Sequence, residues 1–413
     1  MKVIGINTSH DSAICSMTDG KIDFYHEEAR WSRNKWFCPD GGCGHPFKDT
    51  HWKSLDYAFG KDGEKVEEYD TVGFASYDRR GHMIQFEYVD KDVAEDDSDD
   101  DGIREFNYLQ DRFLAQDIRD FLVAEPITRE RVDECSDTFR EHFTEHKERI
   151  IHQKDNNDYD IELNEEIIKP YGIESFDFLQ NEHHLLHAMA VLYQSPFKDA
   201  LILVCDGGGA KFFHEQYPNY QEMESMFYLS EDEITPLYKH LSNSRAVANM
   251  NVQCYDENFF AHRTRFNLDD ADFDVELSSE LSEGQKFSSL SARLGYDSVG
   301  RAAGKVMGMA SYGLEYSGTA LQEIYTPASL SGRLQSETVG ITAKLIERLI
   351  EYKPECKNIC LSGGYALNCV GNYQYLDMFP NHNFFIDPCA HDGGTAIGSC
   401  VKNTFYKDTG YTL

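Results

Sequence analysis

Three histidines crowd one short run, NEHHLLHAMAVLYQSPF (residues 181–197): His183, His184 and His187. The run is otherwise apolar and favours a helix. His183 and His187 stand four residues apart, so a helix places both imidazoles on one face. Two imidazoles on one face hold a metal ion when a further ligand arrives from elsewhere in the fold. The same spacing also fits a helix that buries Leu185, Leu186, Met189 and Leu192 and uses its histidines as polar contacts. Asp392, in HDGGTAIGS, sits at the entrance of another helix. It caps that helix or supplies the third ligand. His10 and Asp11 occupy a polar bend, NTSHDS (residues 7–12), between two apolar stretches. Its hydroxyls and N–H groups suit a phosphate, and loop polarity accounts for the composition equally well. Glycine bends complete the set: Asp206-Gly207-Gly208-Gly209, Gly304-Lys305 and Gly363-Gly364. They let a backbone approach a ligand where a Cβ would clash, though one such bend alone is a weak signal.

Two further clusters carry less. Cys38, Cys43, His45 and His51 follow the spacing C-x4-C-x-H-x5-H, which matches no compact zinc module. Asp97, Asp99, Asp101 and Gly102 imitate the start of a calcium loop. Its twelfth position is Tyr108, where a bidentate glutamate is required, so a solvated acidic loop is the expected structure.

The elements that must position these groups follow from periodicity. VIGIN (3–7), AICSM (13–17) and KIDFYHEE (21–28) read as strands, with Asp19-Gly20 as a type I′ turn. TVGFAS (71–76) reads as another. After the histidine helix, ALILVC (200–205), SMFYLS (225–230) and EITPLYKH (233–240) repeat the order of strand, bend, strand, turn, strand. This repetition predicts a duplicated, two-lobed α/β fold with a nucleotide between the lobes. Residues 241–300 read as mostly loop. ETVGITAKLIERLIEYK (337–353) has helical spacing, and NICLSGGYALN (358–368) and NFFIDPCAHDGGTAIGSC (383–400) each run strand, glycine turn, helix. The expected division is 1–170 for the first lobe, with an acidic and helical insertion at about 85–170, and 171–413 for the second.

The chain of 413 residues is 41% hydrophobic and 13% aromatic, enough for a substantial core and unlike a disordered chain. Against 39 basic residues stand 72 acidic ones, a formal charge of −33 that repels phosphodiester backbones and disfavours nucleic acid as a partner. Eleven cysteines are scattered without a framework, and no secretory signal precedes MKVIGIN. No apolar run approaches the ~20 residues needed to span a bilayer. A reducing cytoplasm, free thiols and no membrane contact are expected.

Taken in order, these stretches resemble the O-carbamoyltransferases of the nodulation-factor and antibiotic-tailoring type. GINTSHDSA (5–13) resembles that family's opening GIN-x-x-HDAS, and the histidine run resembles its HH-x-x-HA-x-x-xFY-x-SPF segment. VCDGGGA, GKVMGMASYG, LSGGYALNCVGN and HDGGTAIGS resemble its later motifs in the same order. The family is related to the actin/sugar-kinase superfamily, most closely to the threonylcarbamoyl transferase of tRNA modification. The resemblance implies two duplicated lobes with an adenine nucleotide (ATP or carbamoyl-adenylate) and an iron-like divalent metal, Fe2+, in the cleft. It makes His183, His187 and Asp392 the metal ligands and places His10 and Asp11 beside the reacting carbamoyl group. Asp206, Gly207, Gly208, Gly304, Lys305, Gly363, Gly364 and Asn368 become the nucleotide cradle. Three departures stand out. The family's DG-x-GE is here Asp206-Gly207-Gly208-Gly209-Ala210, without its acid, and its APYG is Ala310-Ser311-Tyr312-Gly313. Typical members also continue into a YrdC-like domain that makes carbamoyl-adenylate from carbamoyl phosphate and ATP, whereas this sequence stops at Leu413. Activation is then expected from a separate domain or chain, or the donor arrives preformed, or the polypeptide is a truncated enzyme.

The expected activity is transfer of a carbamoyl group from carbamoyl-adenylate to a hydroxyl. The acceptor is a sugar or other small metabolite, or a hydroxymethylated pyrimidine in a nucleotide or DNA. Two rivals remain: a threonylcarbamoyl transferase acting on tRNA, and a non-catalytic nucleotide-binding subunit that serves a partner.

Overall fold

The computed structural model describes residues 1–33, 52–60, 65, 69–75, 165, 167–173, 176–179, 182–212, 220–231, 233–242, 263–266, 272–278, 280–294, 296, 302–313 and 326–406. The cysteine–histidine cluster at 38–51, the acidic run at 97–102 and nearly all of the insertion expected at 85–170 lie outside them.

A first sheet is built from β1 (Lys2–Asn7), β2 (Ala13–Thr18), β3 (Lys21–Glu27), β4 (Thr71–Ala75) and β5 (Asp177–Phe178), in the order β3-β2-β1-β4-β5. The β1–β2 and β2–β3 pairs are antiparallel, and β1–β4 and β4–β5 are parallel. Asp19 and Gly20 both have positive φ, 47° and 77°, as a type I′ turn requires.

The second sheet contains β6 (Asp199–Cys205), β7 (Lys211–Phe212), β8 (Tyr220–Ser230), β9 (Glu233–Ser242), β10 (Thr264–Phe266), β11 (Asp274–Ser278), β12 (Asn358–Ser362) and β13 (Asn383–Ile386). Its inner path, β9-β8-β6-β12-β13, repeats the first sheet strand for strand. The directions repeat too: β6–β8 and β8–β9 are antiparallel, and β6–β12 and β12–β13 are parallel. The chain therefore has the duplicated, two-lobed α/β architecture expected of an actin/sugar-kinase-like protein.

Two helices lie between the sheets. α1 (Glu28–Ser32) and α2 (Lys53–Phe59) belong to the first lobe. Next along the chain is the histidine helix, α3 (His183–Gln194). α4 (Glu283–Arg293), α5 (Ala303–Ala310), α6 (Pro327–Tyr352), α7 (Cys369–Met378) and α8 (Thr395–Phe405) follow. α8 packs on β1, β2 and β4 and against α3, and α3 packs on β6, β8 and β12. The layers thus run sheet, α8, α3, sheet. One core crosses all four, from Val3 and Cys15 through Ala396 and Ile397 to Leu185 and Met189 and on to Ile202 and Val204. β6 is buried on both faces, Ala200, Ile202 and Val204 towards α3 and Leu201 and Leu203 towards the outer helices. That explains its uninterrupted apolar run.

Two glycines set how closely α8 fits. A Cβ at Gly5 of β1 would fall 2.2 Å from the Ala396 carbonyl oxygen, and one at Gly398 would fall 2.0 Å from the Leu186 carbonyl oxygen. Backbone meets backbone on both sides of α8, which only glycine permits.

β5 pairs with β4, so the first sheet reaches Phe178, and α8 also packs on this sheet. Where residues 241–300 are described, the expected loop gives way to β10, β11 and α4. β11 conceals itself by alternation, with Val275 and Leu277 buried and the acidic Asp274 and Glu276 between them. α4 is polar and rich in serine, but its start carries a legible capping box. Gln285 N donates to Ser282 Oγ at 3.1 Å and Ser282 N to Gln285 Oε1 at 3.3 Å, the S-x-x-Q signature.

Candidate metal and active site

The bend after β1 satisfies its own polar groups. Asn7 Nδ2 donates to Ser9 Oγ (2.9 Å) and to the Asp11 carbonyl (3.1 Å), Ser9 N donates to Asn7 Oδ1 (3.1 Å), and Ser12 Oγ donates to the Ser9 carbonyl (2.7 Å). This fixed frame leaves His10 as its exposed member, 42% accessible at the side chain. His10 Nε2 lies 3.2 Å from Asp11 Oδ2, and its Nδ1 lies 3.4 Å from Asp392 Oδ2. The first bend therefore meets the turn that leads into α8.

α3 presents His183 and His187 on one face, as four-residue spacing requires, and both are buried. His184 points elsewhere, with Nδ1 2.8 Å from Ser225 Oγ. Asp206 follows β6 directly. Its Oδ1 accepts from Gly207 N (2.7 Å) and Gly364 N (3.1 Å), so its Oδ2 is free to face α3. That oxygen lies 3.0 Å from His183 Nε2 and 3.8 Å from His187 Nε2. Asp392 Oδ1 lies 3.7 Å from His183 Nε2. The cap at the turn that leads into α8 is His391, not Asp392: His391 Nδ1 accepts from Gly393 N at 3.1 Å. The Asp392 carboxylate is thereby left to face His10 and His183.

One ligand atom from each of His183, His187, Asp206 and Asp392 lies within 4.8 Å of the other three, and all four residues are buried. Burial would lower the His183 imidazole, but the Asp206 and Asp392 carboxylates outweigh it and hold the group above its ordinary value. Burial and neighbouring His183 push His187 down to about 3, so it is neutral. Asp206 stays well below the usual carboxylate range because the imidazoles outweigh its burial. His187 Nε2 is buried and has no hydrogen-bond partner among the described residues. A neutral imidazole with an unshared lone pair beside two carboxylates is the donor set of a borderline divalent metal, and a bound ion would satisfy the orphaned nitrogen.

Asp206 enters the sequence reading only as a nucleotide contact, and its geometry makes it a fourth metal-ligand candidate. An acid directly after a buried strand, ahead of glycines, was the available signal, but nothing in the sequence says which way its second oxygen points. His391 and Glu27 also escape the sequence reading. His391 Nε2 lies 3.3 Å from Glu27 Oε1, and the pair flanks Asp11. The nucleotide candidates divide. Gly207 and Gly364 adjoin Asp206, and a Cβ at Gly207 or Gly304 would meet only open space. Lys305 is exposed, its Nζ 5.6 Å from the Tyr296 ring centre. Asn368 is committed to structure: its amide pairs twice with Gln335 at 3.1 Å and caps α7 through Gly371 N at 3.2 Å. Where Ala210 replaces the acid expected in the bend, Glu222 fills in from β8, accepting from Ala210 N at 3.0 Å and pairing with buried Lys239. The described cysteines are all free thiols, and no helix among the described residues is long and apolar enough to cross a membrane.

Known proteins bear on this site as follows. An uncharacterized protein of Synechocystis sp. is 23% identical over 241 residues, which cover 54% of this chain and 36% of that protein. The 3'-hydroxymethylcephem-O-carbamoyltransferase of Streptomyces clavuligerus is 34% identical over 86 residues, 18% of this chain and 16% of that enzyme. The matched stretches thus span well under two thirds of either relative. Among solved structures, full-length HypF in its phosphate- and nucleotide-bound form aligns with a TM-score of 0.38 and 13% identity, covering 62% of this chain and 50% of that one. The ROK hexokinase of Thermus thermophilus aligns with a TM-score of 0.39 and 9% identity, over 97% of each chain. The family profile described as carbamoyltransferase N-terminus matches residues 2–338 and 336–401, nearly the whole described chain. The protein belongs to that family.

Proposed function

We propose that this chain transfers a carbamoyl group from carbamoyl-adenylate to a hydroxyl acceptor in the cleft between the bend after β1 and the α3–α8 layer. The observation that supports this most is the position of His10, one nitrogen 3.4 Å from Asp392 at the edge of the four-ligand cluster, with enough exposure to reach an acceptor. His183, His187, Asp206 and Asp392 would hold a divalent ion, with Fe2+ the choice the resemblance favours. Such an ion supplies a Lewis acid for a donor or phosphate oxygen. Gly207 and Gly364 offer backbone beside Asp206 for the nucleotide phosphates. The acceptor oxygen attacks the carbamoyl carbon, the bond from that carbon to the phosphate oxygen breaks, AMP leaves, and His10 takes the hydroxyl proton. Asp11 orients the imidazole from 3.2 Å.

The donor is expected to come from carbamoyl phosphate and ATP. The acceptor class is a small metabolite or sugar. A hydroxymethylated pyrimidine is second, because the charge of −33 opposes DNA. The test is incubation with synthetic carbamoyl-adenylate and a pool of metabolites and nucleosides, followed by mass spectrometry. The expected result is AMP together with one carbamoylated product, reduced about 100-fold or more in His10→Asn. A threonylcarbamoyl product would favour the tRNA-modifying rival. Nucleotide binding without any turnover would reject transfer chemistry altogether.

A further inference from the structure

Behind the cluster, on the side away from the cleft, a second row of polar groups is buried against His187. Ser362 ends β12 and Asp387 follows β13. Both are fully or almost fully buried. Asp387 accepts from three donors: Ser362 Oγ at 2.7 Å on Oδ2, and Gln194 Nε2 at 3.0 Å and Cys389 N at 2.8 Å on Oδ1. Gln194 is the last residue of α3, so Asp387 is fastened to the same helix that carries His187. Burial pushes the Asp387 carboxyl above its ordinary range, and its donors pull the other way.

With Asp387 ionised and accepting from its three donors, the hydrogen count along this row has one solution. A serine hydroxyl has a single hydrogen. Ser362 gives it to Asp387, so towards His187 its oxygen can only accept. His187 Nδ1 lies 3.4 Å from that oxygen and must then carry the ring hydrogen. The neutral imidazole has only one, which leaves Nε2 as a bare lone pair. Nε2 is the atom that faces Asp206 and has no hydrogen-bond partner among the described residues.

We infer that Ser362 and Asp387 are positioning residues: they fix the Nδ1–H tautomer of His187 and so hold its Nε2 lone pair ready for a metal ion. This inference rests on the metal reading of the four-residue cluster. Asp387→Asn is the informative change because it keeps the shape and inverts the row. Its carbonyl oxygen still accepts from Gln194 and Cys389, while its NH2 donates to Ser362 Oγ. The hydroxyl must then turn and donate to His187 Nδ1, which moves the ring hydrogen to Nε2 and closes the lone pair. Ser362→Ala removes the tautomer preference without inverting it.

Two readouts separate this inference from the reading beneath it. In metal-free protein labelled with 15N-histidine, His187 is identified by the signal that disappears in His187→Asn. Wild type is expected to show a protonated Nδ1 and a bare Nε2, and Asp387→Asn the reverse. By anaerobic calorimetric titration with Fe2+, Asp387→Asn should bind about 10- to 100-fold more weakly, the range typical of outer-shell partners of a metal site. Ser362→Ala should fall between, with urea unfolding near wild type in both. A wild-type ring protonated on Nε2, or Fe2+ affinity in Asp387→Asn equal to wild type, overturns the inference. The expected tautomer in a wild type that takes up no Fe2+ instead overturns the metal reading and leaves the tautomer assignment standing.

Discussion

Gly398→Ala tests whether the α3–α8 contact sets the geometry of the cluster. The added Cβ would lie 2.0 Å from the Leu186 carbonyl oxygen and 2.7 Å from its carbon. Ordinary contact starts near 3.5 Å, so the helices must part by about 1 to 1.5 Å at this point. Neither side can yield by rotating a side chain, because the opposing atoms are backbone and both helices have a sheet behind them. Overpacking of this kind costs about 1–3 kcal/mol. Better helix propensity returns at most about 1 kcal/mol. A net loss of about 1 to 2 kcal/mol is expected, read as a lower urea midpoint at unchanged slope. The matched control is Gly340→Ala in α6, where an added Cβ meets nothing within 4 Å and the same propensity gain stands alone. It should stabilise by up to about 1 kcal/mol. Since α3 carries His183 and His187 and the entrance of α8 carries Asp392, Gly398→Ala should also weaken Fe2+ binding, while Gly340→Ala should not. If Gly398→Ala unfolds within about 0.5 kcal/mol of wild type and binds metal equally well, the close contact does not set the site.

Asp206→Asn keeps the acceptor for Gly207 N and Gly364 N but removes the charge facing His183, so it should lose metal by more than the ~100-fold typical of outer partners. Unchanged metal content after dialysis would return Asp206 to nucleotide binding alone. Glu283 is fully buried, its Oε1 3.0 Å from Lys286 Nζ, and burial raises its carboxyl to about 7 against an ordinary 4.5. The folded state therefore holds this proton more tightly than the unfolded one. Its contribution is complete below the ordinary glutamate value and is lost as pH rises through about 7, at about 1.4 kcal/mol per pH unit or about 3 kcal/mol in all. Glu283→Gln should gain stability over wild type between pH 5 and 8 in urea unfolding; parallel pH profiles would count against it.

The parts of this protein that were legible in its sequence are the local ones. The α3 face with His183 and His187, the Asp19-Gly20 turn and the repeated strand order all depend on neighbours within a few residues. The role of Asp206 was hidden because it depends on which oxygen the amides of Gly207 and Gly364 occupy, and Gly364 is 158 residues away. Ser362 and Asp387 were hidden for a similar reason: their meaning arises only when β12 and β13 are laid beside α3. β11 and α4 escaped because their polar residues outnumber their apolar ones, although the Ser282–Gln285 box marks where α4 begins.

The four-layer arrangement has a consequence for how the protein is made. α8 spans residues 395–405, yet it covers the face of β1 and β2, which leave the ribosome long before it. Val3, Ala13, Cys15 and Met17 must therefore wait for α8 to be synthesised before their core closes. Such long-range pairing is slow and leaves apolar surface open to chaperones or to aggregation meanwhile. The same delay withholds Asp392, so the four-residue ligand set is complete only after both sheets have been synthesised.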